Sequence, residues 1–345
     1  MRRCLQLALL GEGQVAPNPL VGAVLCFEDK VIGEGYHSYF GGPHAEVACI
    51  RSVKAADREK IPFSKLFVSL EPCNHVGKTG ACTELIIKEG IPEVWIACTD
   101  PFEKVNGSGI ARLKEAGVKV ISGLLEEEAT ALNYRFFTFH QKRRPYVMLK
   151  WAESADYFIG AENRVKISHH FTDRLTHRWR ASEAAIMVGT HTAMKDNPRL
   201  DTRFWPGKNP IRVLLDRKAS LPDHFALMNQ QAPTLIFTEE ESRVSKNLEW
   251  VKVNFDEQLI PRILNILHQK GISSLIVEGG AKLLQSFIDA GIWDEARVIS
   301  NPLLRINEGI AAPVLKDAIC AGKQLLPQDQ ITYYKPKKNP ISVEN

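Results

Sequence analysis

Two successive α/β domains are predicted by the sequence, on three observations. The chain has 345 residues, more than one hydrophobic core usually holds, and a prior of roughly 150 residues per domain gives two. Short apolar runs alternate with amphipathic stretches in both halves, as strands and helices do in α/β folds. Between the halves lies a short basic segment ending in proline, "QKRRP" at 141–145. Read as a solvated linker, it puts the boundary between 1–143 and 144–345.

The elements of the first domain follow in order. "RCLQLALL" has helical spacing; "VGAVLCF" and "KVIGEGYH" read as a hairpin around "EDK". "HAEVACIRSV" is a helix, "KLFVSLE" a strand, "CTELIIKEG" a helix closed by glycine, and "EVWIACTD" a strand. "GIARLKEAG" and "VKVIS" add another helix and strand, and "LLEEEATALNYRFFTFH" reads as one closing helix. The pattern is a three-layer α/β/α arrangement, its strands mostly parallel after the opening hairpin. The second domain offers strands at "YVMLKWAES", "AAIMVG", "IRVLLD", "PTLIFT", "SSLIVEGG" and "EARVIS". The tail, "KPKKNPISVEN", is expected to fray.

Composition excludes several function classes. At 44% hydrophobic and 24% charged residues the chain has the make-up of a globular enzyme. A net charge of +4, spread over this length, gives no strong field for nucleic acid, although local Lys and Arg groups can still hold a phosphate. Seven cysteines and a start too short in apolar residues for a secretory signal point to the reducing cytoplasm. No stretch approaches the ~20 apolar residues of a spanning helix, so no membrane partner is expected.

The chemistry concentrates in "HAEV" at 44–47 and "EPCNHVGKTGAC" at 71–82. Zinc takes about four nitrogen or sulfur ligands, and a catalytic zinc keeps one position for water. His44, Cys73 and Cys82 supply three. Zinc deaminases carry H-x-E followed by P-C-x-x-C, the glutamate moving protons without ligating the metal. Glu46 stands at that position, and Pro72 precedes Cys73. The departure is the eight residues between the cysteines, where the signature has two. The other cysteines, Cys4, Cys26, Cys49, Cys98 and Cys320, lie in apolar segments and read as core thiols.

That spacing resembles the P-C-x-H-x-G-x-T-x-x-C loop of the pyrimidine deaminase of riboflavin biosynthesis. "PNPLVGAVL", "GEGYHSYFGGPHAEV" and "TDPFEKVNGSGI" are similar to the same family. The resemblance covers most of residues 1–123 and implies a cytidine-deaminase-like domain with Zn2+ on His44, Cys73 and Cys82 and Glu46 as catalytic proton shuttle. It implies hydrolytic deamination of 2,5-diamino-6-(5-phosphoribosylamino)pyrimidin-4-one, with Asn18, His37, His75 and Lys78 lining the substrate pocket. Lysine in a glycine-flanked loop suits a phosphate, and asparagine suits a pyrimidine edge.

In the second domain, "VEGGAKLLQSF" is a strand, a glycine turn and a helix. The free amides of such a turn can hold a phosphate, or the turn can be a plain connection. "RWRASEAAIMVGTHTAMKDNPRLDTR" and "IVEGGAKLLQSFIDAGIWDE" resemble the reductase domain of bifunctional riboflavin biosynthesis proteins, which is similar to dihydrofolate reductase. This implies NADPH as hydride donor, opening the ribosyl group of the deaminated product to a ribityl chain. Thr192, Asp196, Gly280, Ala281, Lys282, Leu283, Leu284, Gln285 and Ser286 match the dinucleotide site. Lys150, Arg180, Leu200, Arg203 and Glu278 match the substrate site, where arginines suit a phosphate and a carboxylate suits ribityl hydroxyls. Two positions depart from the family. Tyr157 replaces a glycine after Asp156, and Lys166 replaces a tryptophan.

The partners expected are therefore phosphorylated pyrimidine small molecules, not nucleic acid or membrane, with a homo-oligomer formed through the second domain as the usual route to assembly. Alternatives are a zinc deaminase with a degenerate reductase-like domain, a nucleic-acid base deaminase, and a zinc-stabilised protein without catalysis. The first site separates the last from the rest, because Glu46 has no structural task at a helix start beyond offsetting the helix dipole.

Overall fold

The computed structural model describes residues 1–74, 80–103, 105–163 and 165–337. It divides into two compact units, Met1–Arg143 and Arg144–Asn345.

The first unit runs α1 (Arg2–Leu9), β1 (Gly22–Phe27), β2 (Lys30–Tyr36), α2 (Ala45–Ser52), β3 (Lys65–Val68), α3 (Cys82–Lys88), β4 (Glu93–Ile96), α4 (Ser108–Glu115), β5 (Lys119–Ser122), α5 (Glu126–Leu132) and α6 (Tyr134–Gln141). Its sheet has the order β2-β1-β3-β4-β5. β1 pairs antiparallel with both β2 and β3, and β3, β4 and β5 are parallel. Alternate residues of β1 serve opposite faces, as the period of a strand requires. Ala23 and Leu25 join one core cluster with Leu66, Val94 and Ile96, while Val24 packs with Cys4 and Leu7 of α1.

One predicted helix is two. Residues 124–140 break at Asn133, whose φ of −108° leaves the helical region. Its side chain is buried, accepts from the Leu20 amide at 2.8 Å and donates to the Leu20 carbonyl at 2.9 Å. The side chain thus pins the junction of the two helices to the Leu20 backbone.

The second unit runs β6 (Tyr146–Ser154), β7 (Phe158–Gly160), α7 (His170–Ser182), β8 (Ala185–Gly189), α8 (Thr190–Asp196), β9 (Ile211–Leu215), β10 (Thr234–Thr238), β11 (Arg243–Ser245), β12 (Leu248–Lys252), α9 (Leu259–Gln269), β13 (Ser274–Glu278), α10 (Ala281–Asp289), β14 (Glu295–Asn301), β15 (Ile310–Ala311), β16 (Ala318–Leu325) and β17 (Gln330–Pro336). The large sheet has the order β11-β12-β10-β9-β8-β13-β6-β14-β17-β16. Its middle is parallel and buried on both faces. Val147, Leu149 and Trp151 of β6 enter one core cluster, and Tyr146 and Met148 enter the other.

The sequence reading missed β7, β11, β12, β15, β16 and β17. Lys335 and Pro336, expected to fray, belong to β17, which pairs with both β14 and β16; the tail beyond residue 337 lies outside the described residues. The cysteine reading also needs one correction. Cys4, Cys49 and Cys98 are buried and Cys26 is half-buried, but Cys320 is exposed, on an edge strand covered on neither face at that point.

Tyr157 takes a left-handed backbone, with φ 62°, and its side chain is exposed. A side chain in that region costs about 1–2 kcal/mol, partly offset by the freedom glycine gains on unfolding. Tyr157→Gly is therefore expected to stabilise the second unit by about 1 kcal/mol, seen as a higher urea midpoint for its unfolding. An unchanged or lower midpoint would mean that the ring makes a contact worth more than the strain.

Candidate active site

The first site lies where two helices and one strand end. His44 is the N-cap residue of α2, Cys73 follows β3, and Cys82 opens α3. The His44 Nδ1 is 3.5 Å from the Cys73 sulfur and 3.3 Å from the Cys82 sulfur, and the three ligand atoms lie within 4.8 Å of one another. Zn–S and Zn–N bonds of about 2.3 and 2.0 Å in a tetrahedron place their outer atoms roughly 3.5 Å apart. The donor set and the spacing therefore fit zinc. The Cys82 amide donates to the Cys73 sulfur at 3.4 Å, which favours the thiolate. A hydrogen bond from the Cys82 thiol, followed by the His44 ring, holds Cys73 well below the usual thiol range.

Glu46 sits in the first turn of α2 and is buried. Burial, with the charge of Cys73 adding to it, pushes its carboxyl up to about 7, and the Cys82 thiol lies within hydrogen-bond reach. A carboxyl poised near neutrality next to the metal ligands is what a proton shuttle needs.

Asn18 and His37 come together at the same place. The His37 Nδ1 is 2.9 Å from the Pro43 carbonyl, which can only accept, so that nitrogen carries the proton. The Nε2 then accepts from the Asn18 amide nitrogen at 3.1 Å. The His37 ring stands edge-on to His44, with centroids 5.7 Å apart, and burial lowers its pKa. His75 and Lys78 lie outside the described residues.

Sequence reasoning missed Glu71. Its buried carboxylate accepts from four backbone amides, those of Asp100, Gly107, Gly109 and Ile110, at 2.9 to 3.2 Å. It thereby ties Asp100, Gly107 and the first turn of α4 to the stretch after β3 that carries Cys73. Gly109 packs so tightly there that an added Cβ would lie 2.0 Å from the Pro72 carbonyl oxygen. The available signal was a glutamate directly before Pro-Cys, with the glycines of "NGSG" downstream.

In the second unit, Gly279 and Gly280 form the turn between β13 and α10 with φ of 94° and 72°. A Cβ on Gly279 would lie 2.8 Å from the Thr192 methyl, and one on Gly280 would lie 3.2 Å from its hydroxyl. Only bare backbone fits under Thr192, which leaves a cradle of the kind that phosphate groups use. Asp196 is the last residue of α8, the helix that carries Thr192 near its start. Of the α10 residues, Leu283 and Leu284 are buried in the core cluster, so they offer a ligand only backbone. Ser286 donates to the Leu283 carbonyl, and Gln285 bonds the backbone of Val314 in both directions. Ala281 and Lys282 form the first turn of the helix.

Three of the five residues expected at the substrate site meet directly. Glu278 and Lys150 are register partners on β13 and β6. Arg180 of α7 grips Glu278 with two hydrogen bonds of 2.8 Å, and the Lys150 ammonium is 3.6 Å away. Burial would raise the Glu278 carboxyl, but Arg180 and then Lys150 bring it down to about 2. Arg180 also donates to the Asp201 carbonyl, and Asp201 pairs with Arg203. Leu200, buried and left-handed with φ 50°, directs the chain into this knot. Lys166 pairs with Asp173 at 2.6 Å and is otherwise exposed.

Comparison with known proteins agrees with this division. Residues 1–98 match the family described as the cytidine and deoxycytidylate deaminase zinc-binding region, and residues 145–305 match the RibD C-terminal domain. The chain is 36% identical over 318 residues to the riboflavin biosynthesis protein RibD of Aquifex aeolicus, covering 90% of this chain and 88% of that one. It is 40% identical over 319 residues to RibD of Bacillus amyloliquefaciens, covering 88% and 84%. The crystal structure of a diaminohydroxyphosphoribosylaminopyrimidine deaminase/5-amino-6-(5-phosphoribosylamino)uracil reductase from Thermotoga maritima superposes with a TM-score of 0.88 at 34% identity, over 97% of both chains. Identity at this level runs through both units and not one alone, and the chain belongs to the RibD family of bifunctional riboflavin biosynthesis proteins.

Proposed function

We propose that the first unit deaminates 2,5-diamino-6-(5-phosphoribosylamino)pyrimidin-4-one and that the second reduces the product's ribosyl group to ribityl with NADPH. The observation that carries this reading is the gathering of His44, Cys73 and Cys82 around one point with buried Glu46 beside them. Zinc held by those three residues supplies a water activated for attack near neutral pH. Glu46 would take one proton from the attacking water and give it to the ring nitrogen, then carry the second, from the added hydroxyl, to the departing amine, so that water enters and ammonia leaves. Asn18, fixed through its amide nitrogen by His37, turns its oxygen to the pyrimidine edge, with His75 and Lys78 completing the pocket.

In the second unit, NADPH supplies the hydride. The Gly279–Gly280 turn under Thr192 supports this assignment, since a backbone cradle at a helix start suits a pyrophosphate. Asp196 and the stretch from Gly280 to Ser286 complete the cofactor site. Lys150, Arg180, Leu200, Arg203 and Glu278 orient the substrate, and Glu278 acts as the shared anchor that fixes Lys150 and Arg180 in place. The substrate is thus a phosphorylated pyrimidine, and nucleic acid is not one. The structure contains no helix long and apolar enough to cross a membrane among the described residues.

The test supplies 5-amino-6-(5-phosphoribosylamino)uracil and NADPH and follows loss of cofactor absorbance, with ammonia release from the diaminopyrimidine measured in parallel. Both activities are expected. Ammonia release without substrate-dependent oxidation would refute the reductase half alone. The absence of ammonia release from zinc-loaded protein would refute the deaminase half.

A further inference from the structure

His177 is a buried histidine to which the chemistry above gives no task. It lies on α7 three residues before Arg180, on the same helix face, and is 3% exposed. Its Nδ1 is buried without a hydrogen-bond partner among the described residues. Charged groups face it from each element around it: Arg180 from its own helix, Asp201 and Arg203 from the segment after α8, and Glu278 from the end of β13. Both acids are already engaged, Glu278 by Arg180 and Lys150, and Asp201 by Arg199 and Arg203. The ring packs edge-on against Phe204 with centroids 4.7 Å apart. Phe204 in turn lines an open cleft of about 560 Å³ with Arg174, Arg203, Trp205 and Pro206.

A polar atom buried without a partner lowers stability, and an apolar side chain of similar size would pack there without that loss. Local conflicts of this kind belong at binding sites, where the ligand resolves them. Burial, and then Arg180 and Arg203, lower the ring's pKa to about 4, so the imidazole is neutral near pH 7 and carries one N–H donor. Two arginines at the cleft mouth set the sign of the expected partner as an anion.

We propose that His177 is a further substrate-binding residue of the reductase half, donating its Nδ1 proton to the substrate's phosphate when Phe204 turns aside and Arg174 and Arg203 take up the phosphate charge. This rests on the reductase reading given above. It makes Phe204 the cover of a site whose inner wall is already in place.

The test compares full-length His177→Leu and His177→Asn with the parent. Binding of 5-amino-6-(5-phosphoribosylamino)uracil, and of the same compound without its phosphate, is measured by calorimetry, alongside the urea midpoint and NADPH oxidation. His177→Leu is expected to weaken binding of the phosphorylated compound by about tenfold, the size of one hydrogen bond to a charged group. Binding of the dephosphorylated compound and the KM for NADPH stay unchanged, and the urea midpoint is equal or higher. His177→Asn, which retains a donor, recovers part of the loss. Equal weakening for both compounds, affinity within about twofold of the parent, or a fall in midpoint with affinity unchanged would overturn the proposal. A parent protein that binds the intermediate without oxidising NADPH would end the reductase reading, and the binding comparison would still decide the role of His177. A parent that fails to bind the intermediate would end both.

Discussion

Replacing Glu46 with glutamine is expected to lower ammonia release by roughly 100- to 10,000-fold, the usual cost of losing a proton shuttle. The exchange keeps shape and burial while removing the group that accepts a proton. His44 and both cysteines are untouched, so the variant should carry its full zinc by metal analysis. NADPH oxidation by the second unit should match the parent, which separates a chemical defect from a folding one. Glu46 stands in the first turn of α2, where a negative charge offsets the helix dipole by only about 0.3–1 kcal/mol. Stability should therefore change little. A variant that retains zinc and most of its deaminase rate would show that another group moves the protons.

Removing either partner of the Arg180–Glu278 pair should cost about 3–5 kcal/mol in the unfolding of the second unit, because the survivor is left as a buried charge without its fork. Arg180→Ala and Glu278→Ala should also abolish NADPH oxidation, and leave ammonia release at the parental rate. Replacing both together by apolar residues of similar volume should recover much of the stability and none of the activity. Acid should act as the single substitutions do. The Glu278 carboxyl is near 2 in the folded protein and about 4.3 when unfolded. Its stabilisation is thus present above the unfolded value and is lost as pH falls toward 2, by about 3 kcal/mol in all. Urea titrations of Glu278→Ala and the parent across that range should converge. Parallel curves would show that the pair does not govern acid sensitivity.

The deaminase centre was legible in the sequence because its signals are local. His44 and Glu46 are two residues apart on one helix start, and Cys73 follows a proline at a strand end, so each fragment can be read without the rest of the fold. The reductase cluster was legible only through family resemblance. Arg180 and Glu278 are 98 residues apart in the chain, and nothing in either segment announces that they hold each other and not a ligand. His177 was missed for the same reason: an unpartnered nitrogen is a property of what surrounds it. The break at Asn133 escaped because residues 124–140 keep helical periodicity across it, while Leu20, which its side chain binds, lies in a distant loop. β16 was missed because its residues are mostly exposed, so neither alternation nor an apolar run marks it.

The clamp of Glu71 on Asp100, Gly107 and the first turn of α4 bears on how such a centre can change over evolutionary time. Because four amides converge on one carboxylate and Gly109 lies against the Pro72 carbonyl, the approach to Cys73 is braced from behind, by chain that supplies no ligand. Variation is then unequally distributed. The position of the first cysteine is set by Glu71 and Gly109 and not by the spacer between the cysteines. Gly109 cannot accept even a methyl group without displacing the backbone that carries it. A residue with no chemistry of its own is therefore as constrained near the centre as those that carry it.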